Sequence, residues 1–381
     1  MEKVKLHELV DIYLGVTHTP DYIFEGVPFL SVKDISGGKI CFEDCKYISQ
    51  KEYDSLSEGA KPKVGDMLFC RVGTIGKPII IPEGTPLFGS FVSLGYLRNR
   101  NSDRCDLNYL KYWMYSRSFW KQVDANVKGA SQVNLNTGWL SKFDIDLPGI
   151  EEQRYRISVL DKCKSVIEKR KDELSILDDL IRARFVEMFG NIKENRFIKC
   201  KMREVAHIKH GYAYSGEYFS DKDNGVVLVT PGNFALGGGF QEIKNKYFTS
   251  KYPEEYVLHP GDLIVTMTDL SKKADTLGYG AIIPDNTSKI YLHNQRIGLF
   301  DELDKRLNPV FVRWFMQTDE YRLEIVKTST GSTVHHTSPD RILDSLIFLP
   351  PIQLQNDFVK FANQVDKSKV ILPKLSFNVI I

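Results

Sequence analysis

The feature that most constrains the fold of this chain is an internal repeat. The segment LPGIEEQ begins at Leu147, and the similar segment LPPIQLQ begins at Leu349, 202 residues later. Each segment places a proline just before a stretch of apolar and charged residues, which is a pattern typical of a helix start. A chain that carries the same helix start twice, half its length apart, is expected to consist of two similar units.

Three further pairs of segments repeat in the same order. A K-x-x-E-x-x-x-I-x-x-G line and a Gly-Asp pair each recur 196 residues later, whereas a polar loop that opens with Gly-Ala or Gly-Ser recurs 202 residues later. The pairs begin at Lys5 and Lys201, at Gly65 and Gly261, and at Gly129 and Gly331. The second copy therefore gains a net six residues between the Gly-Asp pair and the polar loop. The shared order indicates a duplication, with copies of about 150 residues each.

Each copy has the pattern of a mixed α and β domain. Runs such as VPFLSV, KVGDMLFCR and FVSLGYL are rich in β-branched and aromatic residues and are separated by glycine turns, which predicts strands. Asn108 to Val123 has apolar residues at helical spacing and predicts one helix, as does its counterpart from Pro309 to Val326. The predicted fold class is α+β, with two repeated mixed α/β domains separated by long coiled-coil helices and related by an internal pseudo-two-fold.

A long helix is predicted between the two copies. Apolar residues recur there at intervals of seven, between Pro148, which precedes the helix, and Gly190, which ends it. They are Leu160, Ile167, Leu174, Ile181 and Met188. About 39 residues at 1.5 Å each give a rod of about 58 Å, and a heptad seam of that length requires a partner helix. The predicted partner is a second helix, which starts near Pro351 and runs out at Leu372-Pro373.

Charge is balanced along the chain, which has 51 Lys and Arg against 49 Asp and Glu. Residues 1–150 hold 18 of each sign, residues 151–189 hold 9, and residues 190–350 hold 20. DNA binding would therefore need charges sorted onto one face, or a partner protein. No apolar run approaches the roughly 20 residues of a membrane span, and the N-terminus lacks a signal-peptide pattern. Six scattered cysteines without a ligand set indicate reduced thiols, a cytoplasmic protein and no metal.

Taken in this order and spacing, the repeated segments resemble the DNA specificity subunit of type I restriction-modification enzymes. The resemblance covers nearly the entire chain. It implies a target-recognition domain over residues 1–150, a central coiled-coil helix over 151–190 and a second target-recognition domain over 191–350. A shortened coiled-coil helix and tail would occupy residues 351–381. This short helix departs from the family, which usually carries a second long one.

The resemblance also implies a function without catalysis and without a cofactor. Each domain would read one half of a bipartite target in double-stranded DNA, and the two antiparallel helices would fix the gap between the half-sites. The subunit would position two adenine-methylating modification subunits and a restriction subunit. The repeated helix start is then explained, because each recognition domain must supply one helix of the same spacer. Two alternatives stay open: a metal-dependent nuclease, and a scaffold whose two domains bind other proteins and not DNA.

Candidate DNA-contacting residues of the first copy lie in two polar loops. An arginine on a glycine-rich turn offers a bidentate fork to guanine or phosphate, amides can read adenine edges, and hydroxyls can hold phosphates. The candidates are Arg71, Lys77, Lys128, Ser131, Gln132, Asn134 and Asn136. The alternative is that the first loop is an ordinary solvated hairpin and the second a polar turn that shapes a helix start.

Candidates of the second copy occupy the equivalent loops and the segment YLHNQRIGLF, which also has the pattern of a strand. The segment TMTDLSKKADTLGYG is long enough to probe a groove, and GSTVHHTS carries hydroxyls and imidazoles. The candidates are Thr268, Ser271, Lys272, Lys273, Arg296, Ser332, Thr333 and His335. Adjacent histidines without a third ligand do not indicate a metal site. Tyr212 and Tyr214 could stack on bases, but packing is the favoured interpretation.

Residues suited to catalysis are sparse. The sequence has no Asn/Asp-Pro-Pro-aromatic motif for amino methylation and no glycine-rich cofactor loop after a predicted strand. The nearest nuclease-like set is Asp221 or Asp223 with Glu242 and Lys244, because metal-dependent cleavage needs carboxylates clustered with a lysine. An E-x-K pattern is common by chance, so we predict no catalytic residue.

Overall fold

The computed structural model describes residues 1–126, 134–190, 197–243, 245–271, 273–286, 288–331 and 333–370. They form two compact units, and the division falls between Lys171 and Asp172, inside one long helix. None of the helices in these ranges combines the length and the apolar character that a membrane crossing requires.

The first unit contains two four-stranded sheets and an antiparallel pair of strands. Its strands are β1 (Glu2–Lys5), β2 (Val10–Leu14), β3 (Tyr22–Ile23), β4 (Val27–Leu30), β5 (Lys46–Ile48), β6 (Met67–Cys70), β7 (Gly76–Ile80), β8 (Gly89–Ser90), β9 (Leu94–Asn99) and β10 (Asp144–Leu147). Its short helices are α1 (Leu6–Leu9), α2 (Val32–Ile35), α3 (Gln50–Ser55), α4 (Leu107–Trp113), α5 (Arg117–Asn126) and α6 (Thr137–Leu140). The sheets have the strand orders β2-β9-β6-β7 and β3-β5-β4-β8, and β1 pairs with β10.

The long helix α7 runs from Ile150 to Phe189 and is continuous over 40 residues. Gly190 follows it at φ 69, the left-handed conformation that ends many helices. Every residue of the predicted seam is at least partly withdrawn from solvent, and Ile167 and Ile181 are buried. The long helix predicted from the heptad spacing is therefore present.

The second unit repeats the architecture of the first. Its strands are β11 (Ile198–Lys201), β12 (Ala206–His210), β13 (Phe219–Ser220), β14 (Val226–Val229), β15 (Lys246–Phe248), β16 (Val257–Leu258), β17 (Leu263–Thr266), β18 (Thr268–Asp269), β19 (Gly280–Ile282), β20 (Ile290–His293), β21 (Ile297–Leu303), β22 (His335–His336) and β23 (Leu346–Leu349). Its helices are α8 (Pro309–Phe315), α9 (Asp319–Thr328), α10 (Pro339–Leu343) and α11 (Ile352–Val370). The sheet β12-β21-β17-β19 corresponds to β2-β9-β6-β7, and the pair β11-β23 corresponds to β1-β10.

The repeated sequence segments have the same structural roles in both units. The carboxylate of Glu8 accepts a hydrogen bond from the backbone N–H of Lys5 at 2.8 Å, and Glu204 accepts one from Lys201 at 2.8 Å. The glycine of each Gly-Asp pair has a positive φ, 86 at Gly65 and 90 at Gly261, which a side chain would strain. The predicted α+β class and the duplication are confirmed.

The helix predicted over Asn108 to Val123 is wrong in one respect, because two short helices, α4 and α5, replace it. The chain turns at residues 114–116, and the turn brings the rings of Trp113 and Phe119 to 5.0 Å between centroids. In the second unit α8 and α9 are broken in the same way, with Phe315 and Tyr321 at 5.6 Å. Folding the second helix back buries both aromatic side chains, which one straight helix would not achieve.

Candidate nucleic-acid interface

In the first unit, three loops converge at the carboxyl end of β6. Val72, just after β6, forms an antiparallel bridge with Asn134, which lies in the polar loop of the repeat. The backbone N–H of Arg71 donates to the carbonyl of Ser93, in the turn between β8 and β9, at 3.0 Å. The first candidate loop therefore lies beside the described end of the second one, as a shared binding edge would require.

The guanidinium of Arg71 holds these loops together. Its Nε donates to the carbonyl of Leu135 at 3.1 Å, and its two terminal nitrogens donate to the carbonyl of Val92 at 2.8 Å and to Oδ1 of Asn134 at 3.0 Å. Partial burial lowers the pKa of the guanidinium, which nevertheless stays charged at neutral pH. A guanidinium has five N–H groups, so two remain for another acceptor. Base reading by Arg71 stays a prediction, and the geometry adds a structural role.

The remaining candidates of the first unit differ in their surroundings. Lys77 is half-buried and has a φ of 53, an uncommon backbone conformation for a lysine. Asn136 is exposed, but its Oδ1 caps α6 by accepting from the backbone N–H of Gly138 at 2.7 Å. This favours the alternative of a polar turn that shapes a helix start. Lys128, Ser131 and Gln132 lie outside the described residues.

The second unit builds the same edge from its own loops. Thr268 faces His336 in the antiparallel pair β18-β22, and these positions follow Val72 and Asn134 by 196 and 202 residues. The backbone N–H of Met267 donates to the carbonyl of Arg296 at 2.9 Å, as that of Arg71 does to Ser93. The two sequence offsets therefore place equivalent loops at equivalent positions in the two units.

The six extra residues of the second copy lie in the loop after β17. Residues 267–277 replace residues 71–75, and the glycine that follows each segment, Gly278 or Gly76, has a positive φ. The buried carboxylate of Asp269 organises this loop: it accepts from the backbone N–H of Ser271 at 2.6 Å, from the hydroxyl of Thr276 at 2.7 Å and from the backbone N–H of Thr276. Burial alone would raise the pKa of Asp269, but these hydrogen bonds lower it below its usual value.

The rim of this edge is polar and exposed. Lys273, Arg296 and Thr333 are exposed, and so is Leu270, whose side chain keeps 65% of its accessible surface. Ser271 is half-buried and caps its own loop, because its hydroxyl accepts from the backbone N–H of Asp275 at 3.0 Å. Lys272 and Ser332 lie outside the described residues. Groove readout uses exposed cationic, hydroxyl and apolar groups of this kind.

Two candidates of the second unit are less available to a ligand. Thr268 is buried, and its hydroxyl lies 3.2 Å from Nδ1 of His336. His335 is half-buried, with Nδ1 3.5 Å from the hydroxyl of Ser329. Both side chains hold the hairpin of residues 330–336 in place. Thr333 is exposed near the tip of this hairpin and is better placed for contact with DNA.

An aromatic cluster adjoins the same edge. Tyr212 is 42% exposed, and its ring lies 5.0 Å from that of Tyr214 and 5.3 Å from that of Tyr256. The carbonyl of Tyr212 accepts from the backbone N–H of Gln295 at 3.0 Å, next to Arg296. Tyr214 is buried, which agrees with the packing interpretation, whereas Tyr212 keeps an exposed ring face.

The carboxylates of the nuclease-like set are engaged in separate contacts. Asp221 pairs with Lys246 at 2.5 Å, Asp223 accepts from the hydroxyl of Tyr247 at 2.9 Å, and Glu242 pairs with Lys289 at 2.9 Å. Within the part of the chain that the structure describes, no three His, Cys, Asp or Glu side chains come together as a metal site. Lys244 lies outside that part. No observation favours the nuclease alternative.

Sequence reasoning missed Asp269 as the residue that organises the long loop. Its signal was present, since an aspartate two residues before a serine can form an Asx turn. The sequence could not show that the same carboxylate also binds Thr276 from the far side of the loop.

Comparison with known proteins gives a consistent result. The chain is 27% identical over 184 residues to the specificity subunit of the type I restriction enzyme EcoBI from Escherichia coli, a match over 47% of this chain and 35% of that protein. It is 26% identical over 192 residues to the specificity subunit of the type I restriction enzyme MjaVIII from Methanocaldococcus jannaschii, over 46% of this chain and 42% of that protein. Each match thus spans less than half the length of the relative. No family model matches the sequence.

The fold is similar to solved structures over nearly the full chain. A structure on the assembly and conformational transition of the type I restriction-modification system aligns with a TM-score of 0.51 at 14% identity, over 97% of this chain and 91% of that one. The S subunit of a type I restriction-modification system from M. genitalium aligns with a TM-score of 0.50 at 13% identity, over 97% and 90%. At such identities the likeness shows the fold. Together with the sequence matches, it confirms the resemblance inferred from the repeated segments.

Proposed function

We propose that this chain is the DNA-recognition and scaffold subunit of a type I restriction-modification complex. The observation that carries the proposal is the duplicated edge: Val72 with Asn134 in one unit and Thr268 with His336 in the other. Two equivalent binding edges in one chain suit a target made of two different half-sites. The relatives that the chain resembles are named specificity subunits of type I restriction enzymes, which supports the proposal.

In this proposal, residues 1–150 and 191–350 each read one half-site. Residues 151–190 and the helix that starts near residue 351 form the spacer between them. The loops named above differ in length and composition between the units, so the two half-sites should differ in sequence. DNA bases are read by side chains at groove edges, while the surrounding polar groups position the phosphates.

The proposed partners are double-stranded DNA, two adenine-methylating modification subunits and a restriction subunit. The chain itself would be non-catalytic and would need no cofactor. Its two recognition domains are each charge-neutral, and phosphate contacts supply most of the affinity of DNA-binding proteins. The isolated chain should therefore bind DNA weakly, and a modification subunit should tighten the binding strongly.

The test is co-expression with a modification subunit, followed by sequencing of methylated adenines in the host genome. The expected result is methylation at a bipartite motif with a fixed gap, absent when this chain is omitted. Fluorescence-polarisation binding to mixed duplexes, with and without the modification subunit, provides the second measurement. Nanomolar, sequence-specific binding by the isolated chain at physiological salt would contradict the expected weak binding. Methylation that does not depend on this chain would contradict the proposed function.

A further inference from the structure

A fully buried glutamine lies in the first turn of each spacer helix. In the first unit, Nε2 of Gln153 donates to the carbonyls of Pro148 at 2.8 Å and Arg104 at 2.9 Å. Its Oε1 accepts from the backbone N–H of Asp106 at 3.0 Å. The side chain of Gln153 thus connects the residue range just before α7 with the loop just before α4.

The second unit repeats this arrangement bond for bond. Nε2 of Gln355 donates to the carbonyls of Pro350 and Arg306, both at 2.8 Å. Its Oε1 accepts from the backbone N–H of Asn308 at 2.9 Å. All four positions follow those of the first unit by 202 residues, the offset of the repeated helix start.

Of the two loop residues that each glutamine binds, the one whose backbone N–H donates to Oε1 is also a helix cap. Asp106 caps α4 by accepting from the backbone N–H of Asn108 at 2.8 Å, and Asn308 caps α8 by accepting from that of Val310 at 2.9 Å. Each glutamine therefore ties the start of a spacer helix to the start of a helix in the recognition domain. Hydrogen bonds between two helix starts constrain the direction of the spacer helix relative to its recognition domain.

The chemistry of the site requires a glutamine. A primary amide offers two N–H donors and a carbonyl acceptor, and all three are used. Glutamate lacks the donors, methionine lacks donors and acceptor, and asparagine is one methylene too short. A buried backbone group left without its partner is costly, so few other residues are compatible with the junction.

We infer that Gln153 and Gln355 are positioning residues that set the gap accepted between the two half-sites. The inference rests on the proposed function. Neither glutamine belongs to the loops of the binding edge, so neither should affect which bases are read. Because each one fixes a recognition domain to its spacer helix, each should restrict the distance and angle at which both domains can bind DNA together.

The experiment uses the full chain in complex with a modification subunit and a DNA library in which both half-sites are kept and the gap length varies. Gln153→Met and Gln355→Met preserve side-chain length and remove the three hydrogen bonds. Gln353→Met is the matched control. Gln353 lies in α11, as Gln355 does, but its side chain is exposed and donates to Asp357 at 3.0 Å. We expect methylation at gaps one base pair too long or too short to rise about tenfold relative to the normal gap, roughly the factor that one hydrogen bond supplies. The half-site sequences and the control should be unchanged.

A Met variant that methylates less at every gap, with the wild-type gap preference, would overturn the inference, because the glutamine would then only stabilise the fold. If a Met variant does not fold, Gln153→Asn or Gln355→Asn keeps the amide at a shorter reach. A folded Asn variant should show the same broadening to a smaller extent, and an unchanged gap preference there would equally overturn the inference. Failure of the proposed function is distinguishable, since the wild-type complex would then show no bipartite methylation at all.

Discussion

The rings of Phe185 in α7 and Phe358 in α11 meet edge to face, with 5.2 Å between their centroids. A second contact joins the ammonium of Lys369 to the carboxylate of Asp178 at 2.6 Å. Lys369 follows Phe358 by eleven residues in α11, whereas Asp178 precedes Phe185 by seven residues in α7. The two helices therefore run antiparallel within the second unit. The partner expected for the heptad seam is present along the carboxyl-terminal half of α7, where Ile181 is fully buried in the same core.

Inserting one heptad after Glu173 should lengthen the gap between half-sites. The insertion keeps the apolar spacing of α7 and lies before the stretch that packs on α11. It lengthens the helix by about 10.5 Å, or roughly three base pairs at 3.4 Å each. Methylome sequencing of the variant should show both half-site sequences unchanged and a longer gap. An unchanged gap would mean that this helix does not set the distance.

Phe358→Ala should destabilise the second unit by about 3–5 kcal/mol, because a large buried aromatic side chain is lost and a cavity is left. Phe358 also contacts Phe189, at 5.6 Å, and Trp314, at 6.1 Å. Leu323→Ala, at a side chain that is 70% exposed, is the control and should change stability by about 0.5 kcal/mol or less. Urea unfolding followed by tryptophan fluorescence measures both. Equal effects of the two substitutions would contradict the helix pairing described above.

Asp269→Ala should loosen recognition at the half-site that we propose the second unit reads. It leaves the backbone N–H groups of Ser271 and Thr276 without their acceptor, at a cost of about 1–3 kcal/mol in the ordered loop. The exposed Asp275→Asn, in the same loop, should change little. The readout is the base preference at each half-site in the methylome. Loss of selectivity in both half-sites would show that the loop does not serve one unit alone.

Arg71→Ala should alter recognition only at the half-site proposed for the first unit, by about 1–3 kcal/mol if its guanidinium reads a base. Asn134→Ala separates the two roles of Arg71. If Arg71 acts by holding Asn134, both variants should change the same bases; if Arg71 reads a base itself, the Asn134 variant should leave that base specified. Arg100→Ala, at an exposed arginine paired with Asp11 at 2.6 Å, is the control. An unchanged affinity and methylation pattern in Arg71→Ala would assign Arg71 to structure alone.

His293 should make the second unit less stable at mildly acidic pH. Burial lowers the pKa of His293 to about 4, against the opposing effect of its hydrogen bond to the carbonyl of Ile297. The unfolded chain takes up the proton near pH 6.5, so the free energy of unfolding should fall as pH drops from about 6.5 to 4, by about 3 kcal/mol in total. His293→Gln should flatten this part of the pH dependence. The exposed His259→Gln should leave it as in the wild type; a flattening there as well would rule out His293 as the source.

The duplication could be predicted from sequence alone because the repeated residues have local structural roles. A Gly-Asp turn needs a positive φ, and the glutamate of a Lys-x-x-Glu segment caps a helix start within four residues. The same residues therefore recur wherever the same local geometry recurs. The offsets of 196 and 202 followed from these letters, and with them the equivalence of Val72 with Thr268 and of Asn134 with His336. The heptad spacing of α7 was equally local, and it predicted the seam.

Tertiary structure decided what each polar side chain does, because its partners lie far away in the chain. Gln153 was visible as a repeated letter, but the groups that it binds in the loop before α4 lie 47 and 49 residues away. Arg71 was predicted as a reader of DNA, yet three of its N–H groups bind residues 92, 134 and 135. Periodicity tells which face of a strand or helix is apolar, but a side chain beyond the end of a strand turns toward whichever acceptor the fold brings within about 3 Å. That choice is made only when the loops of one unit come together.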